Sequence, residues 1–154
     1  MPTFGFDFPM AVLDVPKEKR EELVDLADNQ CVIGEQRFFL RGCIEIAVLG
    51  YEEPFIWGAW AEVSEPDFTA YVTCPEDRDR TSIGPYDGHL SGHFAPYEEL
   101  CENLKVKVVP REHGTRPGFV LEPADHLLYR EQRQGLPAER VAEIYEIMIH
   151  ARDA

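Results

Sequence analysis

The sequence predicts an α+β fold: a mostly antiparallel sheet of about five strands, with N- and C-terminal helices packed on it. Three observations predict it. Residues 37–65 read as two long strands joined by a tight polar connection, and they hold both tryptophans of the chain. The segment Leu104-Lys105-Val106-Lys107-Val108 alternates as a half-buried strand does. Near the C-terminus, Val141, Ile144, Tyr145, Met148 and Ile149 recur at the spacing of one helical face.

Period-two alternation puts Phe38, Leu40, Ile44, Ile46 and Val48 on one side of the first long strand and Phe39, Arg41, Cys43 and Glu45 on the other. One face is core and the other carries charge between aromatics. Gly42, between them, predicts a bulge or a close backbone approach. On the second strand Phe55, Trp57, Ala59, Ala61 and Val63 alternate with Ile56, Gly58, Trp60 and Glu62. The two tryptophans therefore face opposite sides: one is core, and the other needs a cover or stays exposed.

Ahead of this ribbon, Phe4, Phe6 and Phe8 at alternate positions predict an extended arm or edge strand over residues 1–13. Asp14-Val15-Pro16 then opens a helix over 17–28 with a narrow apolar stripe of Leu23, Val24, Leu26 and Ala27. Cys31-Val32-Ile33 begins the sheet, and Gly34-Glu35 makes a turn. After the ribbon, Ser64-Glu65-Pro66-Asp67 has the form of a capping box, which predicts a short helix carrying Phe68, Tyr71 and Val72 inward until Cys74-Pro75 stops it. Residues 76–96 read as the longest loop, the kind of segment where binding residues collect. Phe119-Val120-Leu121 is a short strand, Pro123 begins a helix that Gly135 ends, and Pro137 starts the last helix.

A chain of 154 residues fits one domain that buries its own core without staples. Its 29 acidic and 15 basic side chains give a net charge of −14. Such a field repels phosphate backbones and anionic lipid, so nucleic acid and membrane are poor partners, whereas a basic protein is attracted. With no apolar leader and no run of membrane-spanning length, the expected location is cytoplasmic. Cys31, Cys43, Cys74 and Cys101 form no Cys-x-x-Cys pair and read as small apolar residues of a reducing compartment. Residues 84–92 lack the lysine and the strand-loop-helix setting of a phosphate cradle, and no cofactor is expected.

One set of residues resembles a bacterial family catalogued as domain of unknown function number 2199. It comprises Asp28, Cys31, Phe38-Phe39-x-Arg41-Gly42, Glu45-Ile46, Val48, Gly50, Trp57-Gly58-x-Trp60, Ser64, Phe68, Tyr71, Gly84-Pro85-Tyr86, Leu90-Ser91, Leu104-Lys105, Arg116-Pro117, Leu121-Glu122-Pro123, Asp125-His126, and Gln132 ahead of Gly135. The resemblance runs from about Asp28 onward. That family often carries an N-terminal Cys-x-x-Cys-Gly segment that looks like half of a metal knuckle. This chain has no counterpart, so the resemblance implies no zinc role here, and it brings no activity with it.

The candidate ligand-binding residues are Arg41, Trp60, Tyr86, Arg116 and Gln132, polar or aromatic groups in sheet or turn surroundings. Asp125 and His126 are candidates for general-base work, with an arginine to hold an anion. Adjacent residues do not face each other, which favours reading Asp125 as a first-turn carboxylate. His89 and His93 have the four-residue spacing of helical metal ligands, with Asp87 nearby, but the glycines around them disfavour a helix. A nucleophilic Cys31 or Cys43 is weighed against an inert buried thiol, and the buried thiol is favoured. Two functions follow. The leading one is a noncatalytic acidic binding module engaging a basic protein partner, as an inhibitor or accessory protein. The alternative is a small-molecule enzyme or ligand-binding domain with a pocket around Arg41, Arg116, Asp125 and His126. A purely structural role ranks third. Convergence of those side chains in one cavity favours the alternative.

Overall fold

The computed structural model describes residues 3–153. Along them run β1 (Thr3–Phe4), α1 (Arg20–Leu23), β2 (Val24–Leu26), β3 (Gln30–Ile33), β4 (Arg37–Ile46), β5 (Phe55–Val63), α2 (Glu65–Val72), β6 (Tyr86–Leu90), β7 (Lys105–Val109), β8 (Gly118–Leu121), α3 (Leu127–Gln134) and α4 (Ala138–Asp153). The predicted ribbon is present: β4 and β5 pair antiparallel without interruption from Phe38↔Val63 to Ile46↔Phe55.

The expected count of about five strands matches a subset of the eight. Strands β4, β5, β6, β7 and β8 close on themselves, with β5 pairing both β4 and β6 and β8 returning to β4. Closure removes two edges that a flat sheet would expose. The sheet is also mixed, because β1 joins β5 in parallel and β8 joins β4 in parallel. The parallel seam depends on Gly42: a Cβ there would lie 2.5 Å from the Phe119 ring and 2.7 Å from the Pro117 carbonyl oxygen. The close approach predicted for this glycine is how β8 reaches β4.

The aliphatic face of the ribbon lines the barrel. Leu40, Ile44, Ile46, Phe55 and Trp57 have no exposed surface, and each such side chain contributes on the order of 2 kcal/mol through burial. Trp57 stacks on Phe94 with ring centroids 4.5 Å apart and donates its Nε1–H to the Tyr97 hydroxyl at 3.2 Å. Helix α2 starts at Ser64, whose Oγ accepts from the Asp67 amide at 3.3 Å, and it lays Phe68 on Phe38 at 5.2 Å. Leu128 from α3 and Ile144 from α4 join the same core.

The opposite face of the ribbon divides into two parts. Phe39 and Trp60 point outward yet are 0% and 1% exposed, because Ala11, Val12, Val15, Cys31 and Ile33 form a second cluster over them. The arm from Gly5 onward lies flat on β5; a Cβ at Gly5 would sit 2.8 Å from the Gly58 Cα. Trp60 Nε1 then donates to the Phe6 carbonyl at 3.0 Å. The tryptophan that needed a cover has one. The arm contributes only two strand residues, however, and Phe6 and Phe8 are exposed while Phe4 is buried. Residues 1–2 of the predicted arm lie outside the described residues.

Other expectations need correction. The helix predicted over 17–28 is a 3-10 turn at Lys17–Lys19 followed by the single turn of α1, which buries no side chain. Val24 to Leu26 pair instead with Ile33 to Cys31, so sheet pairing overrides a weak helical stripe. The N-terminal helical element that packs on the sheet is instead the 3-10 helix Met10–Asp14, which buries Ala11 and Val12 against Phe39 and Trp60. Residues 76–96 are not one loop, since they contain a 3-10 turn at Arg80–Ser82 and β6. Helix α3 begins at Leu127 rather than at Pro123, because His126 caps it. Gly34 and Glu35, at φ 59° and 56°, make the predicted turn between β3 and β4.

Candidate functional site

Strand β4 changes partner in its middle. Its first half pairs with β3, ending at Gln30↔Leu40, and its second half meets β8 at Cys43↔Gly118. Between the two, the Arg41 amide donates to the Asn29 carbonyl at 3.0 Å and the Cys43 amide donates to the Pro117 carbonyl at 2.9 Å. The segments leading into β3 and β8 thus diverge from one point, and the fork between them is a cleft of about 460 Å³. One side is Asp28, Asn29 and Gln30; the other is Gly114, Thr115, Arg116 and Pro117. Arg41 stands at the fork, and the end of α2 (Tyr71, Val72) with Arg80 completes the lining.

Three arginines line this cleft and one carboxylate does, Asp28, in a chain of net charge −14. Arg41 rests over the Trp60 ring at 5.5 Å and donates from Nη1 to the Asp28 carbonyl at 3.1 Å. Its carboxylate neighbours are weak partners: Asp7 Oδ1 at 3.4 Å and Asp28 Oδ1 at 3.8 Å belong to side chains 95% and 85% exposed, where solvent screening leaves little attraction. Arg116 Nε donates to Asn29 Oδ1 at 2.9 Å. Arg80 lies over the Tyr71 ring at 4.4 Å and donates from Nη1 to its hydroxyl at 3.2 Å. The Nε atoms of Arg41 and Arg80 are buried and have no acceptor among the described residues. Burial pushes the Cys43 thiol up, while the positive charges of Arg111, Arg116 and Arg41 pull it down.

The two outer loops of the cleft are tied together. His113 is half-buried; its Nε2 lies 3.0 Å from the Arg78 carbonyl and 4.0 Å from Cys74 Sγ. Arg111, next along the outer face, is matched by Glu45 at 2.9 Å.

Of the residues singled out from sequence, Arg41 and Arg116 meet here, with Trp60 beneath Arg41. The others do not. Asp125 is fully exposed and pairs with Arg130 at 3.0 Å. His126 is 4% exposed, its Nδ1 accepts from the Leu128 amide at 3.0 Å and its Nε2 donates to the Glu99 carbonyl at 3.0 Å. Both ring nitrogens are committed to capping α3 and fixing a loop, and neither faces Asp125. Gln132 accepts from the Leu121 amide at 2.7 Å and donates to the Phe119 carbonyl at 2.9 Å, pinning α3 to β8. Tyr86 packs against the barrel core.

His89 and His93 are separated as well. His89 Nε2 lies 3.3 Å from Glu62, whereas His93 Nδ1 accepts from the Cys101 amide at 3.2 Å. Among the described residues no group of three or more His, Cys, Asp or Glu side chains is placed to hold a metal ion. All four cysteines are free thiols. Burial, with Asp25 nearby, pushes the Cys31 thiol up to about 11, the behaviour of an inert group. Among the described residues no helix is long and apolar enough to cross a membrane. Arg80, Asn29, Gln30 and Thr115 went unmarked in the sequence, since an arginine between Asp79 and Thr81 in a run of charged residues carries no periodic signal.

Fold and site together define a small closed β-barrel domain with a basic, ligand-sized fork in an acidic body. The model of the family described as "Uncharacterized protein conserved in bacteria (DUF2199)" matches residues 1–136, and the chain belongs to that family. The match takes in the whole barrel, the cleft and α3, and stops before α4. No curated protein and no solved structure matches the chain.

Proposed function

We propose that this protein is a noncatalytic receptor for a small anionic molecule, bound in the fork between β3 and β8. The observation that carries the reading is the convergence of Arg41, Arg80 and Arg116 on one cleft. Concentrating like charge is costly. An anion held beside the guanidinium groups offsets that cost. The cleft volume of about 460 Å³ falls in the usual range for small-molecule sites. Binding is favoured over catalysis because no histidine lines the cleft and Asp125 and His126 lie elsewhere.

Thermal unfolding in sulfate and in chloride at equal ionic strength tests this. A site-bound dianion raises Tm by linkage, and Arg80→Gln or Arg116→Gln removes that increment while leaving the general salt effect. Equal responses of the parent and both variants to the two salts contradict the reading.

A second reading, the acidic module engaging a basic protein, rests on the net charge of −14, with an exposed apolar groove to add contact area. Phe6, Phe8, Met10 and Leu13 line an apolar groove of about 270 Å³, and Leu13 is 54% exposed. Salt-sensitive retention of basic proteins, weakened in Phe8→Ser, is the expected result; retention that ignores salt and this substitution contradicts it.

A further inference from the structure

We infer that the anion bound in the fork is the phosphomonoester group of a polyhydroxylated small molecule, such as a sugar phosphate. This rests on the receptor reading above and narrows it. The first argument is charge and donor number. Three guanidinium groups line the fork with one carboxylate, Asp28, and Asp7, 3.4 Å from Arg41, is an exposed and screened partner, so the site keeps a positive surplus that suits a dianion better than one carboxylate. After the bonds to Asn29 and Tyr71 are made, Nη2 of Arg80 and both Nη groups of Arg116 form no hydrogen bond to another described residue. A carboxylate offers two oxygens and takes one fork. A phosphomonoester offers three terminal oxygens, enough for donors arriving from three directions.

The second argument is the rest of the lining. Asn29 keeps its amide N–H₂ after accepting from Arg116, and the Asp28 carboxylate, the Gln30 amide and the Thr115 hydroxyl line the same space. Val72 and Pro117 are the aliphatic members, and the Tyr71 ring is covered by Arg80. Such walls match hydroxyl groups, which donate to Asp28 and accept from Asn29, and they give no apolar slot for a flat base or an acyl chain. Nucleic acid, whose phosphates are monoanionic diesters on a long chain, is disfavoured by the acidic body around the fork.

Calorimetric titration of the full chain with glucose 6-phosphate, inorganic phosphate, glucose and tartrate tests the inference. Glucose 6-phosphate is expected to bind about tenfold or more tightly than inorganic phosphate, each hydroxyl bond adding to the shared anion contacts. Glucose alone shows no heat. Arg80→Gln and Arg116→Gln each weaken glucose 6-phosphate about tenfold or more with unchanged circular dichroism, and Thr115→Ala weakens it without affecting inorganic phosphate. Lowering the pH from 7.5 to 5 converts the phosphate to a monoanion, since its second pKa is about 6, and weakens binding about tenfold. Tartrate serves as the control for pH effects that do not arise from the phosphate. Tartrate binding as tightly as glucose 6-phosphate overturns the phosphate assignment and leaves the receptor reading standing. Inorganic phosphate binding equally well overturns the polyol assignment. No heat with any of the anions overturns both this inference and the receptor reading.

Discussion

Two places in this chain hold largely buried arginine side chains, and they are built to opposite rules. Where the helices meet the barrel, Arg140 is 14% exposed and donates from Nε to Glu131 at 2.8 Å, with Glu143 as a second carboxylate partner. The other Glu131 oxygen accepts from the Tyr97 hydroxyl at 2.6 Å, and Tyr97 in turn accepts from Trp57. Nη2 of Arg140 alone lacks an acceptor there. In the fork, by contrast, three arginines have only Asp28 and the exposed Asp7 as carboxylate neighbours and are held by rings and neutral acceptors. Charge matched inside the chain fastens α4 and α3 to the core. Charge left in surplus is the feature on which the proposed receptor role rests.

The contrast breaks first at Arg140. Arg140→Ala leaves Glu131 buried without its ion-pair partner and should cost about 3 kcal/mol in urea unfolding, with anion binding by the fork unchanged. An effect below about 1 kcal/mol would mean that the buried pair is solvated and no different from a surface bridge.

Tyr97 comes next. Its burial, and then its hydrogen bond to Glu131, hold the phenol well above its ordinary value. A group raised in the folded state favours folding fully below its unfolded pKa of about 10 and withdraws that support as pH rises further. Unfolding free energy should therefore fall on going from pH 8 to pH 10.5. Tyr97→Phe should lose about 1 kcal/mol at pH 8 and show a shallower alkaline decline.

Smaller still is the effect of the fork arginines on stability. Arg80→Gln and Arg116→Gln remove like charge from a cluster and should change unfolding free energy by less than about 0.5 kcal/mol, or raise it. A loss near 2 kcal/mol would show that the fork, like the Arg140 network, is there to hold the fold.

A comparably small effect belongs to the Arg37–Glu62 pair. Two bonds from Arg37, at 2.7 and 3.0 Å, hold the Glu62 carboxyl below the usual range. Its contribution is present above the ordinary carboxylate pKa and is lost as pH falls through the lowered value. With Arg37 44% exposed, screening limits this to about 0.5 kcal/mol, read as a flatter acid limb in Glu62→Gln.

The sequence carried the ribbon because period-two alternation is written into Phe38 to Val63, and it separated Trp57 from Trp60 for the same reason. Arg41 was legible as a charge on the outer face of a buried strand, and Arg116 as an arginine in a turn before a strand. What alternation does not encode is closure. The meeting of β8 with β4 turns on one glycine, Gly42, and on contacts between residues 75 positions apart (Cys43 and Gly118), so neither the barrel nor the fork was visible. Arg80 entered the site through a loop with no pattern of its own. His126 misled because an Asp-His step reads as chemistry until its ring is seen capping α3.

The most direct test of surplus charge in the fork is to follow the arginine Nε–H signals by nuclear magnetic resonance during titration with phosphate at pH 7.5. The Nε–H signals of Arg80 and Arg116 should shift in a saturable way as phosphate takes up the Nη groups beside them, while Arg140 Nε–H, bonded to Glu131, stays in place. Unmoved Arg80 and Arg116 signals at saturating phosphate, or equal movement of all three, would contradict the account.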